Sequence, residues 1–486
     1  MNMLLNQSFI YLLARGVPAL VTFAAIAAYT RLLTAEEYGY YALTMAWVTL
    51  AGAVFFQWLR LALTRFAAGY EGSRKSFVST VAAGYVLLLA VTAAAGLLLA
   101  VLPGTGDTRL LIAAAMLYFW VNACSELVLE NLRARIRPLA YGAMAVAKSA
   151  LGVSLAVLFI WLGAGVPGLL AGLSLGMLLP MALFAARRLR MISAKAVDRR
   201  LLARFVRYGL PLTATFALEF VVGTSDRILI EMFAGAAASG VYAVGYDVAR
   251  SSLGLFMMVI NMAAFPLALK AMREKSEAEF KKQLSDSIEL LLAVAVPAAC
   301  GLALIAGNIA SVMLGSEFAG AARLMPLIAL CTLLNGIKLY HFDRSFQLRE
   351  KTHEQIWVAA GSAAVSIGLN LLLIPALGIT GAALSAAAAY TVAISLSIAL
   401  GRRHFRMPFP WRKAVRVAAA TAVMAALLWP LRGFGGLSAL LMQIAAGAAA
   451  YGLAAAALDV AGVRTRALAK IRAGWGAVRR NVHADS

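Results

Sequence analysis

The chain has 486 residues, of which 62% are hydrophobic and only 14% charged, and it carries a formal charge of +22 with a mean hydropathy of +0.83. Soluble domains average about 45 to 50% apolar and about 25% charged residues, so a water-soluble fold is excluded. The positive charge invites a nucleic-acid reading, but 35 of the 44 Lys and Arg fall in alternate segments between apolar runs, which is the signature of membrane topology and excludes that partner.

The apolar runs are close to 20 residues long, enough for a helix to cross about 30 Å of hydrocarbon. They predict an all-α polytopic membrane protein with about fourteen spans. In the first half the helices fall near 9–30, 38–59, 77–102, 110–131, 140–162 and 167–186; in the second, near 207–232, 240–268, 286–307, 322–341, 356–375 and 380–400, followed by 414–431 and 437–459. Ala25-Ile26-Ala27 mimics a signal-peptidase site, yet the first cation, Arg15, already lies inside the apolar run. Residues 9–33 therefore read as a retained first helix.

Cations set the orientation. They crowd the segments after the second, fourth, sixth, eighth, tenth and twelfth runs and the tail from Arg464 to Arg480, whereas the opposite set of connections holds only Arg31, Arg109, Arg323 and Arg432. Both termini are expected in the cytoplasm, with short connections on the far side. Leu468, Ile471, Trp475 and Val478 stand at helical spacing among the tail cations, a pattern that fits an interfacial helix.

The chain repeats internally. With Pro18 laid on Pro211, Arg15-Gly-Val-Pro18 faces Arg207-Tyr-Gly-Leu-Pro211, Gly39-Tyr-Tyr-Ala42 faces Gly240-Val-Tyr-Ala243, and Gly165-Val-Pro-Gly168 faces Gly378-Ile-Thr-Gly381. The expected organisation is a six-helix bundle over 1–190, a basic cytoplasmic linker over 191–206, a pseudo-symmetric six-helix bundle over 207–402, two extra helices over 403–462 and a basic tail over 463–486. Six is even, so the halves are parallel repeats, and the cleft between such halves is the usual seat of a transport site.

Covalent chemistry finds no support. There is no Asp-x-Asp pair and no Walker loop, and the four histidines are too scattered for a metal site. Cys124, Cys300 and Cys331 lie inside apolar runs without CxxC spacing, so neither a disulfide frame nor a cofactor is expected.

What remains is a set of ionisable residues inside apolar helices, each costing a few kcal/mol or more unless paired or hydrated. Glu219 and Asp226 share a face of the seventh span with Arg227 beside them, and Asp247 and Arg250 stand at i,i+3 on the eighth, able to pair. A second group is Arg15, Glu126 and Glu130, Lys148, Lys338 and Asp343, with Glu130 and Lys148 flanking one turn as a candidate ion pair. The cations Arg15, Lys148, Arg227, Arg250 and Lys338 are candidates to line a cavity that takes a phosphate or pyrophosphate group. The acids Glu126, Glu130, Glu219, Asp226, Asp247 and Asp343 are candidates to bind a proton or sodium ion. The competing reading for every one is a structural pair or a snorkelling end residue.

Arg31-Leu-Leu-Thr-Ala-Glu-Glu-Tyr-Gly-Tyr-Tyr-Ala42, Tyr208-Gly-Leu-Pro-Leu212, Asp226-Arg227, Gly240-Val-Tyr242 and Gly378-Ile-Thr-Gly-Ala-Ala383, in this order and spacing, resemble the Wzx-type polysaccharide repeat-unit flippases. That family belongs to the superfamily of multidrug and toxin extruders and lipid II flippases. The resemblance implies a multi-pass protein of the bacterial inner membrane that flips undecaprenyl-diphosphate-linked oligosaccharide by alternating access, with proton or sodium coupling. O-antigen, capsule or exopolysaccharide assembly would follow, with a polysaccharide polymerase and chain-length proteins as partners. Only Asp226 and Arg227 fall within a matching motif. The rival readings are a lipid II flippase, a drug exporter, whose cationic substrate an Arg- and Lys-rich cavity would repel, and a membrane glycosyltransferase or polymerase, which would need a larger periplasmic loop than any here.

Overall fold

A computed structural model describes residues 2–67, 70, 73–101, 106–135, 137–189, 191–274, 276–349 and 351–465. Among these residues every regular element is helical, and thirteen helices are long and apolar enough to cross a membrane. The interfacial helix expected near 468–478 lies outside the described residues.

In chain order the helices are α1 (Asn2–Leu32), α2 (Ala35–Phe66), α3 (Arg74–Val101), α4 (Gly106–Ala134), α5 (Pro138–Trp161), α6 (Gly165–Leu189), α7 (Arg199–Ala249), α8 (Leu255–Glu274), α9 (Glu277–Leu304), the short α10 (Ala306–Met313), α11 (Ala321–Leu348), α12 (Gln355–Leu377), α13 (Ile379–Gly401), α14 (Trp411–Leu428) and α15 (Leu437–Ala457). The count is thirteen rather than fourteen because the seventh and eighth expected spans join in α7. The turn expected over 233–240 shrinks to Gly235 alone, at φ 85° and ψ 168°. Only glycine adopts that conformation without strain, so one residue reverses the chain.

Hydropathy does not register the π turns. Gly52–Phe56 interrupts α2, Arg250–Gly254 joins α7 to α8, and Lys338–Phe342 bends α11. The first two lie in helices that the internal repeat sets equivalent. Gly165 and Gly378, also matched by the repeat, both hold positive φ, 53° and 59°.

The described helices gather into two compact units. One comprises Met1–Ser251, Leu314–Gly320 and Lys351–Ala393; the other comprises Ser252–Met313, Ala321–Glu350 and Ile394–Ser486.

Within the first unit, missing side chains let backbones touch. A Cβ on Gly39 would fall 1.9 Å from the Ala236 carbonyl oxygen, and one on Gly240 would fall 2.1 Å from that of Ala35. The repeat superposes Gly39 on Gly240 and Ala35 on Ala236, so each motif seats its glycine against the other's alanine. α5 and α6 follow the same logic: a Cβ on Gly172 would lie 2.4 Å from Ala156 N, and one on Gly176 2.2 Å from Gly152. Small residues four apart give membrane helices van der Waals contact where lipid supplies no hydrophobic drive.

The basic linker is more ordered than its charge suggests. Ser193 N donates to Ser79 Oγ at 3.0 Å and Asp198 N to Thr80 Oγ1 at 2.9 Å, clamping the strand of chain on α3. Asp198 then caps α7, accepting from Arg200 N and Leu201 N at 2.9 and 3.0 Å. The helix expected from 207 therefore starts at Arg199, and it buries Leu201 and Phe205 among Phe66, Phe77 and their neighbours.

The second unit centres on α9. Lys413 Nζ on α14 reaches Asp286 Oδ1 at 2.6 Å and Glu289 Oε2 at 2.7 Å, and Glu289 Oε1 accepts from Ala461 N. Asn308 on α10 donates to Gln443 Oε1 on α15 at 2.9 Å, so the buried amides of this unit satisfy one another.

Candidate functional site

The first unit contains a cavity of about 320 Å³ with Arg60 and Glu126 in its wall, together with Gln57, Asn122, Phe56 and Phe220. Its volume falls in the range of small-ligand sites, about 300 to 1,000 Å³. The π turn of α2 shapes one side, since Gly52, Ala53 and Phe56 all line the space. A Cβ on Gly52 would meet nothing within 4 Å. The wider winding of a π turn is frequent at functional positions in helices.

Charge is concentrated here. Lys148 Nζ lies 2.8 Å from Glu126 Oε1, Arg60 Nη2 lies 3.1 Å from Glu126 Oε2 and 3.4 Å from Glu130 Oε1, and Arg133 Nη2 lies 2.9 Å from Glu130 Oε2. Arg15, half-buried, is near enough to Glu126 to attract it electrostatically. Four cations thus surround two carboxylates and leave the cluster positive. The buried Nε of Arg60 has no hydrogen-bond partner, so this guanidinium keeps a donor in reserve.

The expected Glu130 to Lys148 pair is replaced by Glu126 to Lys148. The chain turns near Arg137, and Glu126 and Lys148 are equally distant from it along the antiparallel helices α4 and α5, whereas Glu130 is closer to the turn. Equal depth decides the partner, and Glu130 falls to Arg133 one turn along its own helix.

Asp226, Arg227 and Asp247 form a second cluster in the same unit. Arg227 Nη2 lies 3.0 Å from Asp247 Oδ1, and the guanidinium packs over the Tyr246 ring at 5.2 Å. Tyr38 on α2 donates to Asp247 Oδ2 at 3.1 Å, and Tyr242 donates to Asp226 Oδ2 at 2.5 Å. These bonds tie the two arms of α7 to each other across Gly235 and tie them to α2. The expected Asp247 to Arg250 pair does not form. Arg250 opens the π turn, is exposed and has no ion-pair partner among the described residues, while Arg227, 9% exposed, needs the carboxylate far more. The side chain of Glu219 lies outside the described part of the molecule.

Lys338 and Asp343 belong to the other unit. They stand five residues apart, a spacing that ordinary α-winding does not align, and the π turn brings Lys338 Nζ to 2.8 Å from Asp343 Oδ2. Ser397 donates to Asp343 Oδ1 at 2.6 Å, and both charges are buried.

Sequence reasoning missed Arg60 as a site residue, because the second span was expected to end at 59 and Arg60 was counted with the connection beyond it. The helix runs on to Phe66. Tyr38 and Tyr242 were read as motif residues without a role. Asn370 on α12 was also missed: it is fully buried, and neither side-chain atom has a partner. Its apolar surroundings in sequence gave no hint of this.

The fold and its thirteen long apolar helices define a multi-pass helical membrane protein. The structure is similar to the lipid II flippase MurJ in an inward closed conformation, with TM-score 0.75, 14% identity and coverage of 92% of this chain and 98% of MurJ. It is also similar to an inward-facing multidrug resistance MATE family transporter of the MOP superfamily, with TM-score 0.56, 15% identity and coverage of 85% and 95%. At these identities the likeness establishes the shared fold. Residues 28–323 match the profile of the family described as polysaccharide biosynthesis protein, and the chain belongs to that family. The probable low-salt glycan biosynthesis flippase Agl15 of Haloferax volcanii is 21% identical over 216 residues, 44% of this chain and 45% of Agl15. The match thus spans under half the length of that relative.

Proposed function

We propose that the chain is a flippase that carries a lipid-linked oligosaccharide, its phosphate groups first, from one leaflet to the other. The observation that carries this reading is the cavity of α2 and α4, where Arg60 lines the wall beside Glu126 inside membrane-spanning helices and Lys148 is bonded to the same carboxylate. A phosphate or diphosphate entering such a cavity replaces the carboxylates as partner of the arginine, with charge-assisted bonds of similar strength. Neutralising Glu126, which holds both Arg60 and Lys148, with a proton would loosen the two cations, which gives a route to proton coupling. A sodium ion on the same carboxylate would have the same effect. The competing carriers of coupling are Glu219, Asp226, Asp247 and Asp343, of which Asp226, Asp247 and Asp343 already hold structural partners.

Membership of a polysaccharide biosynthesis family and the likeness to Agl15, a probable glycan biosynthesis flippase, support a glycan cargo. On this reading the substrate is an undecaprenyl-diphosphate-linked repeat unit for O-antigen, capsule or exopolysaccharide, handled in a bacterial inner membrane with both termini cytoplasmic, and a polysaccharide polymerase and chain-length proteins act next. A MATE-like exporter of cationic drugs is disfavoured by the positive excess of the cluster. Transport of lipid II is separated from repeat-unit transport by substrate alone. The test is leaflet accessibility of a lipid-linked oligosaccharide in reconstituted vesicles. Protein-containing vesicles are expected to expose the glycan to an external lectin or glycosidase faster than protein-free ones, and equal rates would refute the proposal.

A further inference from the structure

The second unit holds a cavity of about 140 Å³ where α13 ends and the connection to α14 begins. Its polar wall is Ser345, Ser397, Arg402 and Arg406, and its apolar wall includes Phe342 and Phe405. Neither arginine has an ion-pair partner among the described residues. The nearby acid, Asp343, is already occupied by Lys338 at 2.8 Å and by Ser397 at 2.6 Å. The final carbonyls of α13 are also occupied, since Ile398, Leu400 and Gly401 accept from Arg402, Arg403 and the amides of His404 and Phe405. The last carbonyls of the helix are thereby capped, and Arg402 and Arg406 are the charged side chains in the cavity wall. Gly401 is required for the shape, because a Cβ there would meet Ser345 Oγ at 2.2 Å.

Depth identifies the class of ligand. Gly401 is the last residue of one candidate span and Trp411 the first of the next, so the cavity lies at the level of the lipid headgroups. Trp411 is 73% exposed and its ring contacts that of Phe409, as interfacial aromatics do. We infer that this cavity binds the headgroup of an anionic glycerophospholipid such as phosphatidylglycerol, with Arg402 and Arg406 on the phosphodiester. The two serine hydroxyls spend their protons on Phe342 O and Asp343 Oδ1, so their free lone pairs accept from the hydroxyls of the glycerol. The site is distinct from the cavity of α2 and α4 and does not depend on its role.

The experiment uses the full chain in nanodiscs of neutral lipid doped with phosphatidylglycerol, and native mass spectrometry reads the lipid retained. Arg402→Gln with Arg406→Gln is expected to lower retention by about tenfold or more, and Ile398→Trp, which fills the cavity and keeps both arginines, is expected to lower it as far. Arg403→Gln with Arg412→Gln removes the same charge outside the cavity and is expected to change retention by less than about twofold. Equal losses from both double variants would mean diffuse attraction and overturn the proposal, as would undiminished retention in the filled variant. Displacement of the lipid by millimolar inorganic phosphate would assign the site to a free anion instead.

Discussion

Asp247 accepts from donors on two helices, Arg227 of α7 and Tyr38 of α2, so its removal strands a buried guanidinium. Asp247→Asn is expected to destabilise the protein by about 3 to 5 kcal/mol, the usual consequence of breaking one side of a buried pair, read from denaturation in detergent. Asp247→Leu with Arg227→Met, which removes both charges, is expected to cost clearly less. Sequence pointed to these residues because charge in an apolar run is costly and therefore conspicuous. It named the wrong partners, Arg250 for Asp247 and Glu130 for Lys148, because pairing depends on the depth and register of neighbouring helices, which periodicity within one helix does not contain. Arg60 escaped notice for a different reason: at the end of an apolar run, a cavity arginine and a loop arginine look alike.

At the scale of elements, apolar length alone marked where the spans lie but not their ends, since α2 runs to Phe66 rather than 59 and α9 starts at Glu277 rather than 286. It did not show that the Gly39 and Gly240 motifs pack against each other in the seam between α2 and α7. Gly240→Leu is expected to separate that seam, since even a Cβ would collide with the Ala35 carbonyl; a lowered melting temperature and a faster-cleaved α2 under limited proteolysis would report it, and wild-type stability would contradict the packing. The three π turns were not legible, because they change hydrogen-bond spacing without changing composition. Neither was the start of α7 at its Asp198 cap. The Leu201 N–H, with the Tyr70 hydroxyl and the Arg200 N–H, holds the Asp198 carboxyl below the usual carboxylate range. A lowered folded value means that this cap stabilises fully above about pH 4 and loses its contribution as pH falls through that value. Asp198→Ala is therefore expected to cost about 1 kcal/mol at neutral pH, and the difference from wild type should vanish in strong acid.

For the molecule as a whole, composition and the alternation of cations were enough to give a multi-pass helical protein, and the order of short motifs gave its family. Composition could not locate the cavity, which is lined by the π turn of α2, by Phe119, Asn122, Ala123 and Glu126 of α4 and by Phe220 of α7. The account stands on that cavity offering Arg60 to a phosphate. The most direct measurement is the initial flipping rate of a diphosphate-linked oligosaccharide lipid by Arg60→Gln against wild type, reconstituted at equal density with melting temperatures recorded in parallel. Loss of one charge-assisted contact of about 1.5 to 3 kcal/mol predicts a rate lower by at least about tenfold with folding intact, and a variant that flips as fast as wild type would contradict it.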